Sequence, residues 1–117
     1  MIIFKSLNRL NKEVNFKANI GFVPTMGSLH KGHILLIKSS KKICKKTLVS
    51  IFINPSQFNK VNDLKNYPRN LKRDIKILKK LKVDYLLTPN VSDIYRSKKN
   101  TKIKLNKKDK IMCAQYR

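Results

Sequence analysis

Two histidines three residues apart, His30 and His33, stand in the run Pro24-Thr25-Met26-Gly27-Ser28-Leu29-His30-Lys31-Gly32-His33. A nearly continuous apolar stretch, Ile20-Gly21-Phe22-Val23, precedes them. On a helix, residues three apart lie on one face, so both imidazoles can reach one ligand. A helix that begins here adds unpaired backbone N–H groups and a partial positive charge, a natural phosphate site. Gly27 lets the backbone bend and approach a ligand closely. Gly32 leaves room where a side chain would collide with a nucleotide. Imidazoles placed there can donate hydrogen bonds to phosphate oxygens as charge builds up in phosphoryl chemistry. Two other readings stay open: histidines with a structural role, and a zinc ion shared by the pair. The zinc reading lacks an obvious third and fourth ligand, because Cys44 lies about three turns along the helix and Cys113 is near the end of the chain.

A second candidate segment is Asn54-Pro55-Ser56-Gln57. Gln57 offers an acceptor and two donors just past an apolar run. Such an amide suits a small substrate bearing hydroxyl and carboxylate groups; equally, it suits a polar loop.

The elements that must position these residues alternate in type. Ile2 to Phe4 reads as a short strand, and Ser6 as the N-cap of a helix through Leu7, Leu10 and Val14. Ile20 to Val23 reads as a strand buried on both faces and ended by Pro24. A helix is expected from about His30 to Lys46, and a second buried strand from Thr47 to Ile53. Leu71, Ile75, Leu78 and Leu81 recur at helical spacing, which predicts an amphipathic helix from Pro68 or Asn70 to Leu81. Tyr85-Leu86-Leu87 reads as a third buried strand, stopped by Pro89. Strand–helix–strand–helix–strand implies an α/β fold with a parallel sheet, the N-terminal half of a doubly wound, Rossmann-like domain. The expected division is a partial nucleotide-binding domain over 1–97 and a Lys-rich tail over 98–117. In such sheets ligands bind past the strands' C-terminal ends, so the loops after Val23 and Ile53 are the places to look.

The formal net charge is +22 on 117 residues. That would ordinarily point to nucleic acid or an anionic membrane. However, 23 of the 28 cations are Lys and only 5 are Arg, and Arg is the residue that forks onto phosphates and reads guanine. The lysines also run along the whole chain, and Asn and Ile are abundant at 12 and 13. Those three residue types share A/T-rich codons, which favours a compositional drift over a dedicated basic surface. Nucleic-acid binding is therefore expected to be at most non-specific. No apolar run is long enough to span a membrane. Two cysteines far apart suggest no disulfide framework, and a cytoplasmic location fits best.

The run PTMGSLHKGH carries a specific resemblance. Its H-x-G-H core, at a first strand–helix junction, resembles the nucleotidylyltransferase superfamily. The longer string is similar to the P-T-M-G-x-L-H-x-G-H signature of the pantothenate synthetase family. Val49 to Phe58 resembles that family's V-S-I-F-V-N-P-x-Q-F, and Asp63-Leu64 with Tyr67-Pro68-Arg69 its D-L-x-x-Y-P-R. The resemblance implies an ATP-dependent ligase that joins pantoate to β-alanine through a pantoyl adenylate, giving pantothenate, AMP and pyrophosphate. It implies that Met26, Gly27, Ser28, Leu29, His30, Lys31, Gly32 and His33 line the ATP site. His33 would be the proton donor, and His30 would stabilise the α-phosphate transition state. Gln57 would contact pantoate and β-alanine, with Asn54 beside the pantoate. Magnesium would accompany the ATP, with no protein metal site, and the full-length protein would be a homodimer. Lys31 stands where the family usually has an acidic or neutral residue. Arg117 falls where the family continues into a G-H-F-x-G-V segment and later a lid domain, so the chain is expected to be a truncated form, inactive alone. The alternatives are a basic nucleic-acid-binding module and a non-catalytic remnant of a decaying ligase gene.

Overall fold

The computed structural model describes residues 1–53, 70–90 and 92. Four strands and three helices alternate along them. They are β1 (Ile2–Phe4), α1 (Leu7–Glu13), β2 (Ile20–Thr25), α2 (Lys31–Ile43), β3 (Lys46–Ile51), α3 (Leu71–Lys80) and β4 (Tyr85–Leu87). The strands form one sheet in the order β1-β4-β3-β2, and every pairing is parallel. The α/β Rossmann-like architecture expected from the alternating pattern is present. Residues 98–117, the expected tail, lie outside the described residues.

Side chains alternate across a strand, and that period sorts the core into two layers. Ile20, Leu48 and Leu87 face α1, where they meet Phe4, Leu7, Leu10 and Val14. The opposite face carries Val23, Val49 and Leu86, packed against Ile37 of α2, Leu78 of α3, and Leu29 and Val83. Adjacent residues Leu48 and Val49, and Leu86 and Leu87, thus serve opposite layers. Both faces are covered, which is why the strands read as continuous apolar runs.

Polar side chains start the helices as their types dictate. Ser6 Oγ accepts from Arg9 N–H at 3.2 Å, and Asn70 Oδ1 accepts from Arg73 N–H at 3.3 Å. Two boundaries differ from expectation. β2 continues through Pro24 to Thr25. Among the described residues β2 ends the sheet, and Pro24 is exposed, so its missing N–H costs no ladder bond. α2 stops at Ile43, because Cys44 and the residues after it turn extended to enter β3.

α2 lies close to the sheet because small residues meet there. Ser40 and Thr47 are fully buried and share a hydrogen bond of 2.8 Å between their hydroxyls. Gly21 of β2, the register partner of Thr47, sits directly beneath Ser40. A Cβ at Gly21 would collide with Ser40 Oγ and lie 2.9 Å from Cys44 Sγ. Gly21→Ala is therefore expected to destabilise the fold by about 1–3 kcal/mol, the range for overpacking a well-filled interface. Urea unfolding measures it, and an unchanged midpoint would show that α2 has slack against β2.

Candidate functional site

β2 ends at Thr25, and α2 begins at Lys31 with His30 as its N-cap. Between them the chain turns sharply, with positive φ at Gly27 (83°) and Ser28 (52°). Gly27 suits its position doubly. A Cβ there would be strained at that φ and would lie 3.2 Å from Ile51 Cγ2 and 3.3 Å from Asp74 Oδ2. Ser28 takes the left-handed region without a glycine's freedom, so something must hold it there.

The holders are side chains that capture the loop's N–H groups. Thr25 Oγ1 accepts from Gly27 N–H at 3.0 Å and donates to the Ser50 carbonyl at 2.9 Å, tying the loop to β3. Asp74, on the first turn of α3, is 1% exposed. Its Oδ2 accepts from Ser28 N–H at 2.8 Å and its Oδ1 from Leu29 N–H at 2.9 Å. Bonds to a charged acceptor are worth about 1.5–3 kcal/mol each, enough to hold Ser28 against its strain.

The histidines complete the set. His30 Nδ1 accepts from Gly32 N–H at 3.0 Å, and His33 Nδ1 accepts from His30 N–H at 3.2 Å. Together they form a reciprocal capping box with imidazoles in place of the usual hydroxyl and carboxylate. The ring centroids lie 4.1 Å apart. Because each Nδ1 accepts a backbone proton, each neutral ring must carry its own proton on Nε2. The site thus offers two Nε2–H donors side by side.

Two sequence expectations change in this light. The loop's N–H groups were expected to cradle an anion, but those of Gly27, Ser28, Leu29, His30 and Gly32 already have acceptors within the protein. The imidazole donors stand in their place. Gly32 was expected to make room for a nucleotide. The group that a Cβ there would meet is His30 itself, with Cε1 at 2.9 Å, so Gly32 makes room for the cap.

The other expected residues sort by depth. Leu29 is a core side chain beneath the loop, so it can offer a ligand little. Lys31 is exposed at the first helical position, open to an anion. Met26, Gly27 and Ser28 border a cleft of about 170 Å³ that Ile53, Asn70 and Thr88 also line. It opens past the C-terminal ends of β2, β3 and β4, where a parallel sheet binds ligands. Neither histidine lines it. Asn54 and Gln57 lie outside the described residues. Asp74 and Arg73 were missed. An acidic residue on the apolar face of an amphipathic helix, between Leu71 and Leu78, was the available signal.

His33 has its pKa pushed below the ordinary 6.5, first by burial, then by the neighbouring His30, with the Asp74 carboxylate opposing both.

A family model described as pantoate-beta-alanine ligase matches residues 3–117. A pantothenate synthetase of Pseudothermotoga lettingae is 41% identical over all of this chain and 43% of its own length. The pantoate–beta-alanine ligase of Saccharomyces cerevisiae is 56% identical over 72% of this chain and 27% of its own. The crystal structure of a Francisella tularensis pantoate-beta-alanine ligase, complexed with beta-gamma ATP and beta-alanine, superposes with a TM-score of 0.76 at 42% identity. It covers 92% of this chain and 42% of that one. A Thermus thermophilus pantothenate synthetase gives 0.77 at 33% identity, with 91% and 38% covered. The chain thus spans less than half the length of the relatives it matches.

The tautomers and the His33 shift lead to one expectation. In their neutral forms, both histidines should appear in long-range ¹H–¹⁵N spectra as Nε2–H tautomers. Well above pH 6.5, His33 is neutral in folded and unfolded chains alike and costs nothing. Below 6.5 the unfolded chain takes the proton before the folded one, so stability should fall with pH, levelling off below the lowered folded value. A His33 in the Nδ1–H form, or stability that rises as pH drops through this window in a comparison with His33→Gln, would contradict the cap.

Proposed function

Since the chain belongs to the pantoate-beta-alanine ligase family, we propose that it serves the ATP-dependent condensation of pantoate with β-alanine. In the first step a pantoate carboxylate oxygen attacks the ATP α-phosphorus, and the bond to the bridging oxygen breaks to release pyrophosphate. In the second, the neutral amine of β-alanine attacks the acyl carbon of pantoyl adenylate. AMP leaves, the amine gives up a proton to solvent, and pantothenate is formed.

The observation that carries this reading is the pair of Nε2–H donors at the start of α2. Negative charge accumulates on the α-phosphate oxygens in the first step, and two pre-oriented neutral donors stabilise it without moving themselves. In this geometry His33 acts as a hydrogen-bond donor. Full transfer of its proton would leave an imidazolate, which nothing nearby favours. Lys31 adds a mobile positive charge for the outer phosphates. The cleft bordered by Met26 and Ile53, which neither histidine lines, suits the small, partly apolar acid, and Gln57 and Asn54 are the proposed polar contacts of the two acids. Magnesium would arrive on the triphosphate, neutralising charge. Asp74, which borders the cleft, spends one lone pair of each oxygen on the loop N–H groups of Ser28 and Leu29. The reading extends to a homodimeric whole protein located in the cytoplasm.

Two expectations test it in a chimera of residues 1–117 joined to the remainder of the Pseudothermotoga lettingae relative. His33→Ala should slow pantoate-dependent pyrophosphate release by about 10² or more, while ATP affinity changes much less. A normal rate would remove His33 from the chemistry. Gln57→Ala should raise the KM for pantoate and β-alanine by an amount equivalent to about 1–3 kcal/mol and spare that for ATP. Varying each substrate in turn decides it, and unchanged dependence on both acids would exclude Gln57 from their site.

A further inference from the structure

The two residues that grip the loop from α3 have no assigned role in the reaction, although Asp74 also borders the cleft, and their contacts are specific. Asp74 takes the N–H groups of Ser28 and Leu29. Its neighbour Arg73 donates from Nη2 to the Leu29 carbonyl at 3.0 Å, and its Nη1 lies 3.5 Å from Asp74 Oδ1. The first turn of α3 therefore holds Leu29 by both its N–H and its C=O. Leu29 is the residue before His30, and its side chain is pinned in the core at 1% exposure. A hydrophobic anchor, a carboxylate and a guanidinium together leave the peptide entering His30 little freedom. The direction of that peptide sets where both imidazoles point, because His30 caps α2 and its N–H anchors His33.

We infer that Asp74 and Arg73 are positioning residues for the histidine pair, fixing the orientation of the Nε2–H donors through Ser28 and Leu29. The inference deepens the ligase reading and rests on it for the reaction served, but the positioning can be measured without turnover. A buried carboxylate so placed could instead simply stabilise the fold. The two roles differ in where an injury shows. Loss of positioning loosens the loop while the sheet stays closed. Loss of a fold-stabilising group lowers protection everywhere in step.

The test uses residues 1–117 carrying Asp74→Asn. Asparagine keeps one acceptor oxygen but turns an NH₂ group toward a backbone donor. Amide exchange should speed up by about tenfold or more at Ser28, Leu29 and His30, with Val49 and Leu86 unchanged. The groups whose charges act on His33 are His30 beside it and Asp74 from α3. The carboxylate raises the His33 pKa, so its removal should lower the titration midpoint of His33 seen by NMR whichever role Asp74 plays; the exchange pattern is what separates positioning from a structural role. Loop protection that falls only in parallel with Val49 and Leu86, or does not fall, overturns the proposal. If Asp74→Asn does not fold, Arg73→Lys decides. This side chain is half-exposed, and its loss of the fork should speed exchange at Leu29 and His30 alone; no change there overturns the proposal. ATP binding, measured alongside, separates the two readings. A loosened loop in the variant, with no ATP binding by the parent chain, would sustain the positioning and sink the ligase reading. An undisturbed loop with ATP binding intact would sink the positioning alone.

Discussion

A chain that leaves a parallel strand and enters a helix within five residues must find partners for N–H groups that neither the sheet nor the helix can satisfy. Here the solution is supplied almost wholly by side chains. Thr25 closes the start of the turn, Asp74 its middle, and His33 and His30 its end. Everything that makes this region a candidate for phosphate chemistry depends on that closure. It holds a strained Ser28, permits a short turn, and consumes the Nδ1 lone pairs of both histidines. Once those lone pairs are occupied, the rings can face a ligand only as donors.

The packing beneath serves the same end. Gly21, Ser40 and Thr47 bring α2 against the sheet, and Leu29 plugs the loop into the core shared by Val23, Ile37 and Val49. The histidine end of α2 is thereby fixed to β2 and β3, while α3 reaches the same loop through Asp74. Two crossover helices meet at one turn. The cleft past β2, β3 and β4 adjoins this turn, so a ligand held there would lie beside the loop without needing the imidazoles.

Much of this was legible in the residues. The alternation of apolar runs and amphipathic stretches revealed the strands and helices, because a sheet covered on both faces demands uninterrupted apolar strands. The spacing of His30 and His33 after such a strand marked the site. Other features were hidden for physical reasons. Pro24 looked like a terminator, but a proline is harmless where, among the described residues, its side of the strand has no ladder partner. Gly32 looked like space for a ligand, whereas its neighbour in three dimensions is the cap two residues away. The role of Asp74 depends on a contact across 45 residues with Leu29, which no local pattern encodes. It left only the trace of an acid on an apolar helix face.

The central claim is that the imidazoles, rather than the loop's backbone, meet the phosphate. Titration of ATP into ¹⁵N-labelled residues 1–117 tests it most directly. The account predicts that the Nε2 resonances of His30 and His33 shift on binding, while the Ser28 and Leu29 amides, held by Asp74, stay nearly still. Large movements of those two amides with the imidazole resonances unmoved would contradict it, showing that the loop releases Asp74 and binds phosphate through its own N–H groups.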